Sequence, residues 1–182
     1  SFDYHTIPKP LTVQTAQAHA ESYRRTVDYF RTRGILSVYW ILPFYSLHLI
    51  SALEANNVGG SATERCKLAS ELLGTLRDAM ERAMSSAPDI LFVAAAGNDD
   101  NDVEFDQSMP GSLDLPNLMM VGAVDQAGRR TSFTSSGRRV RVYANGFEVE
   151  SNVPGGGRLK MSGTSMASPN ALNLAAKMFA VR

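Results

Sequence analysis

The string Ser162-Gly163-Thr164-Ser165-Met166-Ala167-Ser168-Pro169 sets a serine among small residues at the start of an Ala-rich apolar segment. A serine at a helix N-terminus meets unpaired backbone N–H groups and the positive end of the helix dipole. Both favour a negative charge developing nearby. Gly163 presents no side chain to an approaching substrate backbone. The same position also suits a plain N-cap serine, which needs no chemistry. A second candidate group is acidic. Asp99, Asp100, Asn101, Asp102, Glu104 and Asp106 offer many oxygens within one loop. Calcium takes roughly six to eight such ligands. The loop lacks the Gly and Glu positions of an EF-hand. Its ordinary reading is a solvated loop; structural calcium is the lesser one, and no cofactor is required for chemistry.

The histidines are His5, His19 and His48. Thr6-Ile7-Pro8 follows His5, and Pro8 excludes a regular helix there. His19 falls beside the apolar face of a predicted helix, and His48 falls in an aromatic-rich loop. His19 and His48 read as ordinary surface or core residues. The single cysteine, Cys66, excludes an intrachain disulfide, and no Cys/His motif surrounds it.

The elements that must hold these groups follow from periodicity. Val13, Ala16, Ala20, Tyr23, Val27 and Phe30 recur at helical steps after Thr12 and stop before Gly34. Ile35 to Leu42 is a nearly continuous apolar run and predicts a buried strand. Ser61 and Glu64 have capping-box spacing. Leu68, Leu72, Leu76, Met80 and Met84 form the core stripe of the helix they open, which ends before Pro88. Ile90 to Ala95 and Leu118 to Val124 predict further strands. Val140–Ala144 and Phe147–Ser151 predict a hairpin around Asn145-Gly146. Ser165 to Val181 predicts a last helix, with Ala167, Ala171, Leu174, Ala175 and Met178 on its apolar side. Strand and helix alternate, which predicts an α/β fold with a mostly parallel sheet covered on both faces.

Composition narrows the partners. Hydrophobic residues make up 44% of 182, enough for a sizeable core. Lys+Arg 18 balances Asp+Glu 18, which gives no reason to expect nucleic acid or an anionic membrane. Arg129, Arg130, Arg138, Arg139 and Arg141 cluster locally and read as a solvated surface. The apolar run from Ile35 to Ile50 is broken by Pro43, Ser46 and His48, so it does not predict a membrane span. No signal peptide opens the chain.

The whole string around Ser165 resembles the nucleophile signature of the subtilisin-like serine proteases (subtilases, peptidase S8 family), Gly-Thr-Ser-Met-Ala-x-Pro. Other segments follow in that family's order: Ala95-Ala96-Gly97-Asn98, Pro110, Val121-Gly122-Ala123-Val124-Asp125, Ser132-Phe133-Thr134-Ser135-Ser136-Gly137 and Pro154-Gly155-Gly156. The resemblance is strong over residues 88–182 and weaker over 1–87. It implies the C-terminal part of a three-layer subtilisin-like peptidase domain spanning 1–182. It implies that Ser165 is the nucleophile and forms an acyl-enzyme. The Ser165 N–H and the Asn98 amide would bind the oxyanion, and Ala96, Gly97, Gly163 and Thr164 would line the substrate. The implied substrate is a polypeptide, and the implied location is secreted or periplasmic.

The family needs an Asp within Asp-Thr/Ser-Gly and a His within His-Gly-Thr, in the order Asp, His, Ser. Neither string occurs in these 182 residues. His5 has nearly the family's separation from Ser165 but the wrong neighbours, so the true His is expected before residue 1. The family's Val-Asn-Met-Ser-x-Gly strand end is here Val38-Tyr39-Trp40-Ile41-Leu42-Pro43, and Pro43 removes a donor where substrate would pair as an added strand. Asn170 stands where the family usually has His. Both ends read as cut. Residues 1–182 alone are therefore expected to be nearly inactive, and the alternative is a degenerate fold that at most binds peptide. Exposed edges of a partial sheet predict self-association.

Overall fold

The computed structural model describes Arg25, Asp28, Thr32 and residues 37–39, 60–105 and 109–181. Its elements run β1 (Ser37–Tyr39), α1 (Ala62–Ser85), β2 (Leu91–Ala95), β3 (Leu118–Val124), β4 (Val140–Asn145), β5 (Val149–Asn152), β6 (Arg158–Met161) and α2 (Thr164–Ala180). Arg25, Asp28 and Thr32 are helical and fall inside the first predicted helix. The rest of that helix, and residues 40–59, lie outside the described residues.

The strands β1, β2, β3 and β4 pair in that order, all parallel. Adjacent residues of a strand face opposite sides. Phe92 packs with Leu72, Leu76, Met80 and Met84 of α1. Its neighbour Val93 packs with Ala167 and Ala171 of α2. The two helices therefore cover opposite faces, and the domain is the three-layer α/β sandwich expected. Coverage on both faces is why β2 reads as an unbroken apolar run rather than an alternating one. β4 carries a register irregularity opposite Met120 and Val121, and Arg141 falls in it between the paired Val140 and Val142. An irregular strand with an exposed arginine is a poor template for a further strand, which suits the end of a sheet.

α1 starts as its sequence requires. The Ser61 N–H donates to Glu64 Oε2 at 2.8 Å, and the Glu64 N–H donates to Ser61 Oγ at 3.2 Å. The hydrogen bonds from Ser61 hold the Glu64 carboxyl below the ordinary glutamate range. A depressed folded-state pKa stabilises above the unfolded value and is lost as pH falls through the folded one. Thermal stability is therefore expected to fall below about pH 4.3 more steeply in the wild type than in Glu64→Gln. Melting temperatures measured from neutral to acid pH check this; parallel curves would refute it.

The far end of α1 depends on a residue with no outward signal in the sequence. Asn117 is buried, and its Nδ2 donates to Met84 O at 3.0 Å, Ala87 O at 2.9 Å and Ile90 O at 3.2 Å. One side chain thereby adds a donor to three carbonyls where a helix gives way to a strand; Met84 O and Ala87 O also accept the Ala87 and Ile90 N–H groups. Asn117→Ala is expected to lose about 1–3 kcal/mol, because three carbonyls lose a side-chain donor at a buried position. Asn117→Asp is expected to lose more, since it sets a carboxylate against them. Urea unfolding measures both; losses under about 0.5 kcal/mol, ordinary for a neutral surface change, would contradict the assignment.

The hairpin expected around Asn145-Gly146 does not form. β4 is a parallel strand beside β3, and β5 pairs antiparallel with β6. Gly146 does not have positive φ, so it is not a tight-turn glycine. Its N–H donates to Val124 O at 2.9 Å, and Asn145 Oδ1 accepts the Phe147 N–H at 3.2 Å. The actual hairpin turn is Val153–Gly157, where Gly155 and Gly156 have φ of 91° and 83°.

The apolar side predicted for the last helix is only half used. Ala167 and Ala171 are buried, but Leu174 and Met178 are 62% and 64% exposed. Cys66 is exposed near the start of α1. No helix among the described residues is long and apolar enough to cross a membrane.

Candidate active site

Three chain segments meet at the start of α2. β2 runs into Ala96-Gly97-Asn98, the strap Phe133–Ser136 lies beside that turn, and β6 leads through Ser162 and Gly163 into the helix. The helix begins at Thr164, so its N-cap is Gly163, which has no side chain to do the capping. The bland reading of Ser165 as an N-cap is thereby corrected: Ser165 is the second helical residue. The capping acceptor comes instead from another segment. Asn98 Oδ1 accepts the Thr164 N–H at 2.8 Å and the Thr164 hydroxyl at 2.9 Å.

That contact settles which way the Asn98 carboxamide faces. A backbone N–H can only donate, so the atom opposite it is the oxygen. The Nδ2 group points the other way and, among the described residues, is committed to no partner. Asn98 is exposed and Ser165 half-buried, so the site is open to a ligand. Thr164 is fully buried. Its hydroxyl also accepts the Gly97 N–H at 3.2 Å, and so ties helix and turn together. Of the other residues implied to meet substrate, Ala96 is buried. Gly163 is buried as well, so Ala96, Gly163 and Thr164 shape the site from beneath its surface.

The turn itself is held from behind. Gly97 has φ of 110°, a left-handed conformation that suits glycine. Its carbonyl accepts the Ser135 N–H at 3.0 Å, and Phe133 O accepts the Asp100 N–H at 3.0 Å. Thr134 is fully buried, and its hydroxyl accepts the Ala123 N–H at 2.9 Å, which fastens the strap to β3. Thr134 and Ser135 were legible only as part of a family-like string, with no role attached.

The acidic loop is partly engaged within itself. Asp102 Oδ1 accepts the Glu104 N–H at 2.9 Å, and Glu104 Oε2 lies 3.8 Å from both Arg138 and Arg139. Among the described residues no group of three or more His, Cys, Asp or Glu side chains is gathered for a metal. His5, His19, His48, Asp106 and the Trp40–Pro43 stretch lie outside the described residues.

A family model described as "Subtilase family" matches residues 54–182. The chain belongs to the subtilase family. A subtilisin-like protease of Coccidioides posadasii is 33% identical over 131 residues, covering 72% of this subtilase and 32% of that protein. Alkaline elastase YaB of Bacillus sp. (strain YaB) is 31% identical over 188 residues, covering 93% of this chain and 47% of its own. This subtilase thus spans half or less of the length of the relatives it matches. The fold agrees with that of a cold adapted subtilisin-like serine proteinase, at a TM-score of 0.61 and 23% identity over 90% of this chain and 49% of that one. It agrees equally with the self-cleaved protease domain of PatA, at a TM-score of 0.61 and 23% identity over 86% of this chain and 50% of that one.

Proposed function

We propose that this subtilase chain supplies the nucleophile and the oxyanion-binding donors of a serine endopeptidase, with Asp and His of the triad contributed from outside residues 1–182. Ser165 Oγ attacks the peptide carbonyl and forms an acyl-enzyme. The Ser165 N–H and Asn98 Nδ2 receive the oxyanion. A neutral amide suits that task, because it donates without adding a charge that would retain product. The observation that supports the reading is the Asn98–Thr164 contact: Asn98 Oδ1 accepts from the residue that precedes Ser165, which leaves the NH₂ of the same carboxamide to donate. The substrate is a polypeptide, and action outside the cytosol belongs to the same proposal by family likeness.

A second reading is a subtilase fold that binds peptide without cleaving it. Two sequence features favour it: neither triad motif occurs, and Pro43 stands where substrate would pair. Intact-mass labelling with a fluorophosphonate separates the two. A long form, extended to carry the Asp-Thr/Ser-Gly and His-Gly-Thr segments, is expected to gain one adduct that Ser165→Ala abolishes. A folded, unlabelled long form would leave the peptide-binding reading.

A further inference from the structure

α2 is unusual where it carries Ser165. Pro169 lies inside the helix and contributes no N–H to its ladder. Two contacts from outside bracket this turn. Before Ser165, the Gly163 N–H donates to Gly146 O at 2.8 Å. After it, Asn170 Nδ2 donates to Asn145 O at 2.8 Å. The two carbonyls are consecutive and sit at the end of β4. That end is itself fixed, because the Gly146 N–H donates to Val124 O at 2.9 Å and Asn145 Oδ1 accepts the Phe147 N–H at 3.2 Å.

We infer that Asn170 is a positioning residue for Ser165, acting through its tether to the Asn145 carbonyl. The inference rests on Ser165 being the nucleophile. Asn98 and Gly97 pin the helix at Thr164, and Ala167 and Ala171 hold the next turn against the sheet through small apolar contacts that resist rotation about that pin weakly. Two directional bonds on adjacent carbonyls resist it. Together with the Asn98–Thr164 contact they fix the azimuth of the first turns, and with it the direction in which Ser165 Oγ points relative to Asn98. The carboxamide is a donor at every pH at which the fold persists, so the tether does not titrate.

Asn170→Asp tests this best, because it keeps the shape and removes the donor. Asn173→Asp, exposed on the same helix, is the control for added charge. Amide hydrogen exchange at residues 163–168 is expected to quicken about ten-fold in Asn170→Asp, with β3 amides unchanged. Asn170→His, which restores a ring N–H donor, is expected to recover most of the protection. Exchange unchanged from wild type, or quickened equally in β3, would overturn the inference. In a long form that labels at Ser165, Asn170→Asp is expected to lower kcat about ten-fold at unchanged KM. A change confined to KM would overturn it too. A long form that fails to label counts against Ser165 as nucleophile, while the exchange data still decide the tether.

Discussion

Residues 1–182 alone are expected to hydrolyse a peptide substrate about 10⁶-fold more slowly than a subtilase with a complete triad. The magnitude is the one measured in subtilisin when its catalytic His is removed. It follows because the serine hydroxyl is a weak nucleophile until a base takes its proton. What remains is the oxyanion hole and binding, which give about 10³–10⁴ over water. Steady-state kinetics on a chromogenic peptide check the rate, with Ser165→Ala as the background. Turnover near that of an intact subtilase would mean that a base within residues 1–182 reaches Ser165, and His5 would be the first candidate. A longer form that supplies both triad strings is expected to recover the activity. Asn98→Ala in that form would then cost about 10²–10³ in turnover, again a magnitude established in a subtilisin.

Gly146→Ala is expected to damage both the fold and the site. A Cβ at that position would lie 2.6 Å from Gly163 O, 2.8 Å from Ala123 Cβ and 3.0 Å from Ala167 Cβ. None of these is the far end of a flexible side chain, so the start of α2 must lift from β3 and β4. Such overpacking costs about 3 kcal/mol. In a protein of this size that is a fall of about 10 °C in melting temperature. The strain falls on the Gly163–Gly146 bond, two residues before Ser165. A shift of about 1 Å between Ser165 and Asn98 would cost about 10²-fold in the rate of a long, active form. Gly74→Ala is the control. It lies mid-helix with open space around the added methyl, and it is expected to be neutral or stabilising by up to about 1 kcal/mol. A Gly146→Ala protein as stable as the wild type would show that α2 is not pressed against the end of β4.

The elements with strong periodic signals are where the sequence places them. α1 begins at the capping box of Ser61 and Glu64 and buries its Leu72–Met84 stripe. β3 spans Leu118–Val124 without a change of boundary. Covered parallel strands and amphipathic helices write their environment into side-chain spacing, so these elements are legible locally. The hairpin expected at Asn145-Gly146 fails for the opposite reason. Asn-Gly signals a tight turn when φ is positive, but Gly146 is glycine because helix, strand and neighbouring carbonyl crowd it. Sequence spacing records that a side chain is missing, not which of these causes removed it.

The site divides the same way. Ser165 and Asn98 were readable as candidates only through two short strings that resemble a family's, Gly163-Thr164-Ser165-Met166-Ala167 and Ala95-Ala96-Gly97-Asn98; alone, each also suited an ordinary cap or turn. The role of Asn98 as the cap of α2, the hydroxyl of Thr164 between turn and helix, the strap through Thr134 and Ser135, and the tether from Asn170 were not readable. Each joins residues far apart in the chain, and a hydrogen bond across such a distance leaves no periodic trace. The sequence by itself determined the family and the layers, and singled out Ser165 as the candidate nucleophile. Only the tertiary structure decided which way the Asn98 amide faces, because that depends on the Thr164 N–H reaching it from another segment.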